Sequence, residues 1–440
     1  MKFYNITSTN LKQPLLPLFL VFCASIFQAQ NASLSPYSRF GIGDLQAIQT
    51  PRNAAMGGLS VGLIGTSSLS TKNPASYMNL GKDTVVFDVS LQGVFSRLQE
   101  KQLTSEIVSA RTNSASLGQI SLAIPITSWV KTCFGLTPNS NMSYNVSRIF
   151  SGNPNIGTYI LRNYGHGGTN QVFLGLAVGT DRVAVGANAN YQFGSFVRSV
   201  QVNFIADNDS TPPVLPYPTT TVSDRYLEAA GLFWDLGFQY RQPLSNRYQL
   251  GFGFTYTPAY KLNATQSLWD YAMITDLMRD TITHGIPEDG KLKMPSKYAV
   301  GLSFEKLNRW VIGAEYSMID FTKYQEFSKT DPNLSKAYTF RTGMELKGQR
   351  MDNDFFNRLS YRFGCHYGTN YIIFQNSEIK QFGFNFGVGM PIRRTLSRID
   401  FAVEFGRKGS VNAGQIQENY GRVIIGISAF DRWFVRGKFD

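Results

Sequence analysis

Along much of the chain, apolar and polar residues alternate one for one. Leu232, Trp234, Leu236, Phe238 and Tyr240 share one face, and Phe233, Asp235, Gly237, Gln239 and Arg241 share the other. Tyr248, Leu250, Phe252, Phe254 and Tyr256 alternate with Gln249, Gly251, Gly253 and Thr255. Ile399, Phe401, Val403 and Phe405 alternate with Arg398, Asp400, Ala402, Glu404 and Gly406. The pattern recurs at 172–179, 183–194, 310–318 and 422–429. A period of two is the signature of a strand with unlike faces. One face is apolar with aromatics at its ends. The other is small, polar or charged, with many glycines and unlike charges. That pairing suits a lipid-facing wall around a hydrogen-bonded lumen, and only a closed barrel spans lipid with every backbone group paired. The pattern predicts an all-β, transmembrane antiparallel β-barrel.

About fourteen strands are expected, at 84–97, 114–127, 131–147, 170–180, 182–196, 224–242, 246–260, 294–306, 308–320, 335–347, 355–369, 380–391, 396–407 and 420–438. Connections after even-numbered strands are short, such as Thr180-Asp181 and Leu307. Those after odd-numbered strands are long: 98–113, 148–169, 197–223, 261–293 and 408–419. Short periplasmic turns and long external loops are the rule in bacterial barrels, so the parity fits an even-stranded barrel with both termini in the periplasm. Phe439, one residue from the end, matches the near-terminal aromatic with which such barrels commonly close.

The N-terminal 30 residues do not fit the alternation. Lys2 and Lys12 precede an apolar stretch from Pro14 to Phe27, followed by Gln28-Ala29-Gln30. This reads as a cleaved secretory signal over 1–30, and so as export to the bacterial outer membrane. Its removal takes away two lysines and no acid, lowering the net charge from +12 to +10. In an exported chain, the counterions for that excess are outer-membrane lipid or lipopolysaccharide phosphates rather than nucleic acid. The two remaining cysteines, Cys133 and Cys365, make no disulfide framework, and the sequence leaves open whether they pair. An apolar fraction of 43 % excludes disorder, and a single long apolar run excludes a helical membrane bundle.

Residues 31–83 precede the first strand. They contain Ser35-Pro36-Tyr37-Ser38-Arg39-Phe40-Gly41-Ile42-Gly43-Asp44, then Asn53-Ala54-Ala55-Met56-Gly57-Gly58, then Asn73-Pro74-Ala75. Gly57 and Gly58 permit sharp turns and close backbone approach. Pro74 biases Asn73 toward extended geometry, and the Asn73 side chain can satisfy freed backbone groups. Ala75 leaves space. A Gly pair followed by Asn-Pro-Ala resembles the N-terminal hatch of the FadL-type (OMPP1/FadL/TodX) outer-membrane barrels, in a divergent form. The resemblance implies fourteen strands, a hatch at 31–83 plugging the lumen, and a barrel over 84–440. It also implies a barrel that passes hydrophobic small molecules. A type IX secretion partner barrel belongs to the same superfamily, so the resemblance reaches complex subunits as well.

Enzyme signals are poor. The three histidines are His166, His284 and His366, and there is no zinc, P-loop or nucleophile-elbow motif. No catalytic residue, metal or cofactor is expected. The lumen charges Asp235, Arg241, Glu315, Arg398, Asp400 and Glu404 mark either a solute path or a network bracing wall and plug. Within 261–293, Trp269, Met273, Ile274, Leu277, Met278 and Ile282 follow a helical repeat. Such a helix would hold an amphiphile, dock a partner, or cap the barrel. The stretch Asp207–Pro218 reads as an extended, solvated loop.

Two functions follow. One is passive transport of a hydrophobic or amphipathic molecule. The other is a non-enzymatic barrel subunit of an outer-membrane assembly (Bam-type) or secretion (type IX) complex, contacting lipoproteins or a larger barrel.

Overall fold

A computed structural model describes residues 35–46, 50–65, 69–102, 106–153, 157–205, 220–275, 278–374, 376–392 and 395–433. The signal segment, Asp207 to Pro218 and Phe439 lie outside them.

The alternating segments form fourteen antiparallel strands: β1 (Thr84–Lys101), β2 (Ile107–Pro125), β3 (Val130–Asn153), β4 (Gly157–Gly179), β5 (Val183–Ile205) and β6 (Thr220–Pro243). β7 runs as two pieces, Tyr248–Thr257 and Tyr260–Thr275, and β8 as Glu288–Met294 and Lys297–Lys306. Then follow β9 (Trp310–Asp320), β10 (Lys336–Leu346), β11 (Ser360–Phe374), β12 (Ser377–Pro391), β13 (Arg398–Lys408) and β14 (Gln417–Arg432). Each pairs with the next in sequence, and β14 returns to β1, with Gln417 opposite Gln99 and Arg432 opposite Thr84. The barrel is closed. Leu174, Leu232, Trp234, Leu302, Phe363, Phe384 and Phe405 stand exposed on its outer face, where lipid replaces water.

The wall is uneven at one seam. β2 and β3 pair only from Ile120–Pro125 against Leu136–Lys131. Above that point, Asp44–Leu45 of the pre-barrel segment pairs with Asn141 and Ser140 of β3.

Two expectations change. The stretches 98–113 and 148–169 are not loops but the upper parts of β1 to β4, joined at 102–106 and 154–156. Past the apolar belt the alternation breaks, with Ile107-Val108, Ile149-Phe150 and Ile160-Leu161 placing apolar residues on both faces among polar neighbours, while backbone pairing continues. The long-loop side of the barrel is therefore mostly strand. The helix expected around Trp269 to Ile282 is also strand. Trp269, Met273 and Ile274 lie on the second piece of β7, whose Asn263–Met273 run pairs with Thr220–Ala230 of β6. Met278 and Ile282 lie on a short strand, Met278–Thr283, folded back against β7. Leu277 lies outside the described residues. The apolar positions fit a period of 3.6, but Tyr271, Thr275, Thr281 and Thr283 favour a pleated strand, and an open β6 edge supplies partners.

The segment before β1 lies within the barrel. Its short helix α1 (Pro51–Ala55) packs on β11 to β14, and a 3-10 turn, Pro74–Asn79, packs on β3 to β6, so it touches opposite walls.

Candidate functional site: the lumen

The wall's inward glycines make room for this segment. A Cβ on Gly364 would stand 2.1 Å from Gly57 N, and one on Gly343 would stand 2.4 Å from Met56 O. On the opposite side, a Cβ on Gly237 would stand 2.7 Å from the Pro74 ring, and one on Gly186 2.6 Å from the Pro74 carbonyl carbon. Gly57 and Gly58 have φ of +72° and +87°, a region that penalises side chains. Asn73 Oδ1 accepts from Ala75 N at 3.1 Å, and its Nδ2 donates to Val61 O at 2.8 Å and Phe238 O at 3.2 Å. One side chain thus ties two parts of the segment to β6. Ala75 is fully buried.

The charged lumen residues hold wall and segment together. Arg52 Nη2 lies 2.5 Å from Glu345 Oε2. Arg362 lies 2.8 Å from Glu345 and 2.7 Å from Asp400, which Arg398 Nε approaches to 2.7 Å. All five side chains are buried. Glu315 accepts from the backbone N–H groups of Ser60 (2.8 Å) and Val61 (2.9 Å), and also pairs with Arg341. Asp235 accepts from Asn190 at 2.9 Å and from Thr257. Arg241 donates to Asn79 Oδ1 at 2.9 Å. Glu404 accepts from Tyr420 at 3.0 Å and Arg422 at 3.2 Å, with His366 at 3.7 Å. All six sequence-predicted lumen residues face inward and are partnered, in five groups rather than one.

Arg52, Glu345 and Arg362, the centre of the largest group, were not singled out from the sequence. A signal existed. Arg52 is the lone charge in a run of small residues, and Glu345 and Arg362 each stand two positions from an inward glycine, on the face that glycine occupies.

Towards the long-loop end, the lumen fills with apolar side chains. Tyr37 and Ile42 of the segment pack with Phe196, Leu227, Leu262, Leu292, Phe321 and Ile372 of the wall and connections. Lys408 to Asp44 at 2.6 Å and the Tyr371 hydroxyl to Gly43 O at 2.5 Å pin the same stretch. Between this apolar packing and the segment's middle lies a cavity of about 400 Å³, whose mixed lining includes Lys72, Lys297, Arg341, His366 and Arg422. Burial pulls the Lys72 ammonium down to about 8, with Arg341 lowering it further and Glu315 opposing.

Among the described residues, Trp269 and Ile282 of the hairpin do not line the lumen cavity. Trp269 and Ile282 are exposed, and the Trp269 ring meets His284 edge-on at 5.4 Å. Cys133 and Cys365 are both free.

No curated protein matches the chain. Among solved structures it is similar to the Pseudomonas putida toluene transporter TodX, with a TM-score of 0.57 at 16 % identity, covering 89 % of this chain and 100 % of that one. It is similar to a Pseudomonas aeruginosa FadL homologue, with a TM-score of 0.57 at 12 % identity, covering 89 % and 99 %. The Ralstonia pickettii toluene transporter TbuX gives 0.52 at 16 %, covering 87 % and 98 %. At such identities the likeness is one of fold, and the fold is the FadL-type outer-membrane barrel. The BamG family model matches residues 11–440, nearly the whole length, and the chain therefore belongs to the BamG family.

Proposed function

We propose that the chain is a non-enzymatic, partner-binding barrel subunit of a Bam-type outer-membrane assembly complex, delivered there by cleavage of residues 1–30. Residues 31–83 act as a standing plug and residues 84–440 as the barrel. The observation that carries this reading is the bracing of the lumen. The Arg52–Glu345–Arg362–Asp400–Arg398 chain is buried, and it joins the plug to β10, β11 and β13. Opening a solute path there would strand charges in a low-dielectric interior, which is costly. The plugged outer mouth and the family match support the same conclusion. Partner contacts then fall to the outer face, the connections and the extended strands, where Trp269 and Ile282 stand exposed on the hairpin.

A second reading is passive transport of a hydrophobic or amphipathic molecule, favoured by the 400 Å³ cavity beside the plug. Its lining mixes apolar side chains with the charged Lys72, Lys297, Glu315, Arg341 and Glu404, and a hydrocarbon would have to lie against those charges. Size measurement of the protein extracted from outer membrane in mild detergent separates the two. A stoichiometric complex containing the membrane's barrel-assembly subunits is expected. A lone barrel that carries a hydrophobic ligand would overturn the reading.

A further inference from the structure

The short-turn end of the lumen holds a second cavity, of about 320 Å³. Its charged lining is Glu345 near the end of β10, Lys347, Arg350 and Arg358 in the connection 347–359, and Arg398 at the start of β13. Four of these five are cations. The carboxylate is already engaged, because Glu345 is bound by both Arg52 and Arg362. Lys347 is paired with Glu305. Arg350 and Arg358 have no ion pair among the described residues.

Arg398 is the telling member. It is only 5 % exposed. Its Nε stands 2.7 Å from Asp400, whose other oxygen is taken by Arg362. Its Nη2 is buried and has no hydrogen-bond partner. A dry, unmet donor on a charged group is costly, and buried polar groups normally find a partner. Around it, the backbone is arranged to hold the cavity in shape. The connection 347–359 is the longest on this side among the described residues, and it is folded back on itself. Gln349 N donates to Asn357 O at 2.8 Å, Gly348 N to Ser360 Oγ at 3.2 Å, and the Tyr361 hydroxyl to Phe356 O at 3.2 Å. These bonds set Arg350 and Arg358 at the mouth.

We propose that this mouth is an oxyanion site, taking a carboxylate or phosphate on Arg398 from within and on Arg350 and Arg358 from the connection. Guanidinium forks match the two oxygens of such a group. The anion is either a free soluble one or a carboxylate carried on an acidic polypeptide segment. The site is independent of the assembly-subunit reading and stands if that reading fails.

The test uses the full mature barrel in detergent at fixed ionic strength in chloride. Inorganic phosphate and an acetylated, amidated triglutamate peptide are titrated separately by calorimetry. Saturable one-to-one binding of either probe is expected. Phosphate binding as tightly as the peptide identifies a free anion, and clearly tighter peptide binding identifies a polypeptide carboxylate. The double variant Arg350→Gln/Arg358→Gln leaves the buried ion-pair chain untouched. It should weaken binding at least tenfold while keeping the heat-modifiable gel mobility of a folded barrel. The proposal is overturned if neither probe saturates, or if the folded double variant binds as the parent does.

Discussion

At the scale of single residues, Glu345 decides most. It meets two arginines at once in a buried setting. Glu345→Gln keeps the shape but leaves Arg52 and Arg362 short of a counter-charge. Breaking one partner out of a buried ion pair costs about 3–5 kcal/mol. The urea midpoint of the variant should fall accordingly, whereas an exposed control such as Glu288→Gln should change little. Lys72 gives a second prediction. Burial holds its ammonium at about 8, against an ordinary 10.5. Between those values the unfolded chain keeps a proton that the folded chain has lost, so stability rises with pH across that window. Below about 8 both forms are charged, and the cost of burying the charge is constant. Lys72→Met should remove the rise, seen as a smaller gain in urea midpoint from pH 8 to pH 10 than in the parent. Some of this was legible in the sequence. The positive φ of Gly57 and Gly58 and the Asn73–Ala75 turn bond are local backbone geometry, which sequence order displays. The Arg52–Glu345 contact joins residues 293 positions apart, and nothing local in the sequence displays that distance.

At the scale of elements, strand number and parity were legible because lipid imposes a strict period of two on one face of every spanning strand. Beyond the belt that constraint ends. There the upper parts of β1 to β4 read as loop, and the hairpin carrying Trp269 and Ile282 read as helix. Partner strands, not local pattern, decide those elements: Asn263 to Met273 align with Ala230 to Thr220, far away in the chain. The parity still makes a prediction about sidedness. An epitope inserted between Ser245 and Asn246, in the short turn after β6, should stay hidden on intact cells. One inserted at Asp331, in the connection after β9, should be labelled. Labelling of the turn alone would invert the barrel.

At the scale of the whole molecule, the question is whether the barrel is a passage or a closed post. Three sets of contacts tie the segment before β1 to the wall. Apolar packing around Tyr37 and Ile42 fills the long-loop end, Asn73 and Glu315 hold the middle, and the arginine–carboxylate chain holds the short-turn half. Each draws on a different physical interaction, so loosening one should not open the pore. Asn73→Ala/Pro74→Ala removes the three Asn73 hydrogen bonds, worth about 1–3 kcal/mol for each buried group left unmet. It should lower the unfolding midpoint, yet raise conductance only slightly in planar bilayers. Removing residues 36–80 altogether should give large, steady conductance steps from a barrel that still shows folded gel mobility. If the parent protein already conducts at that level, the lumen is a channel and the plug is not a seal. If the double replacement alone opens the pore fully, the plug is a latch released at one point, and the transport reading gains what the assembly-subunit reading loses.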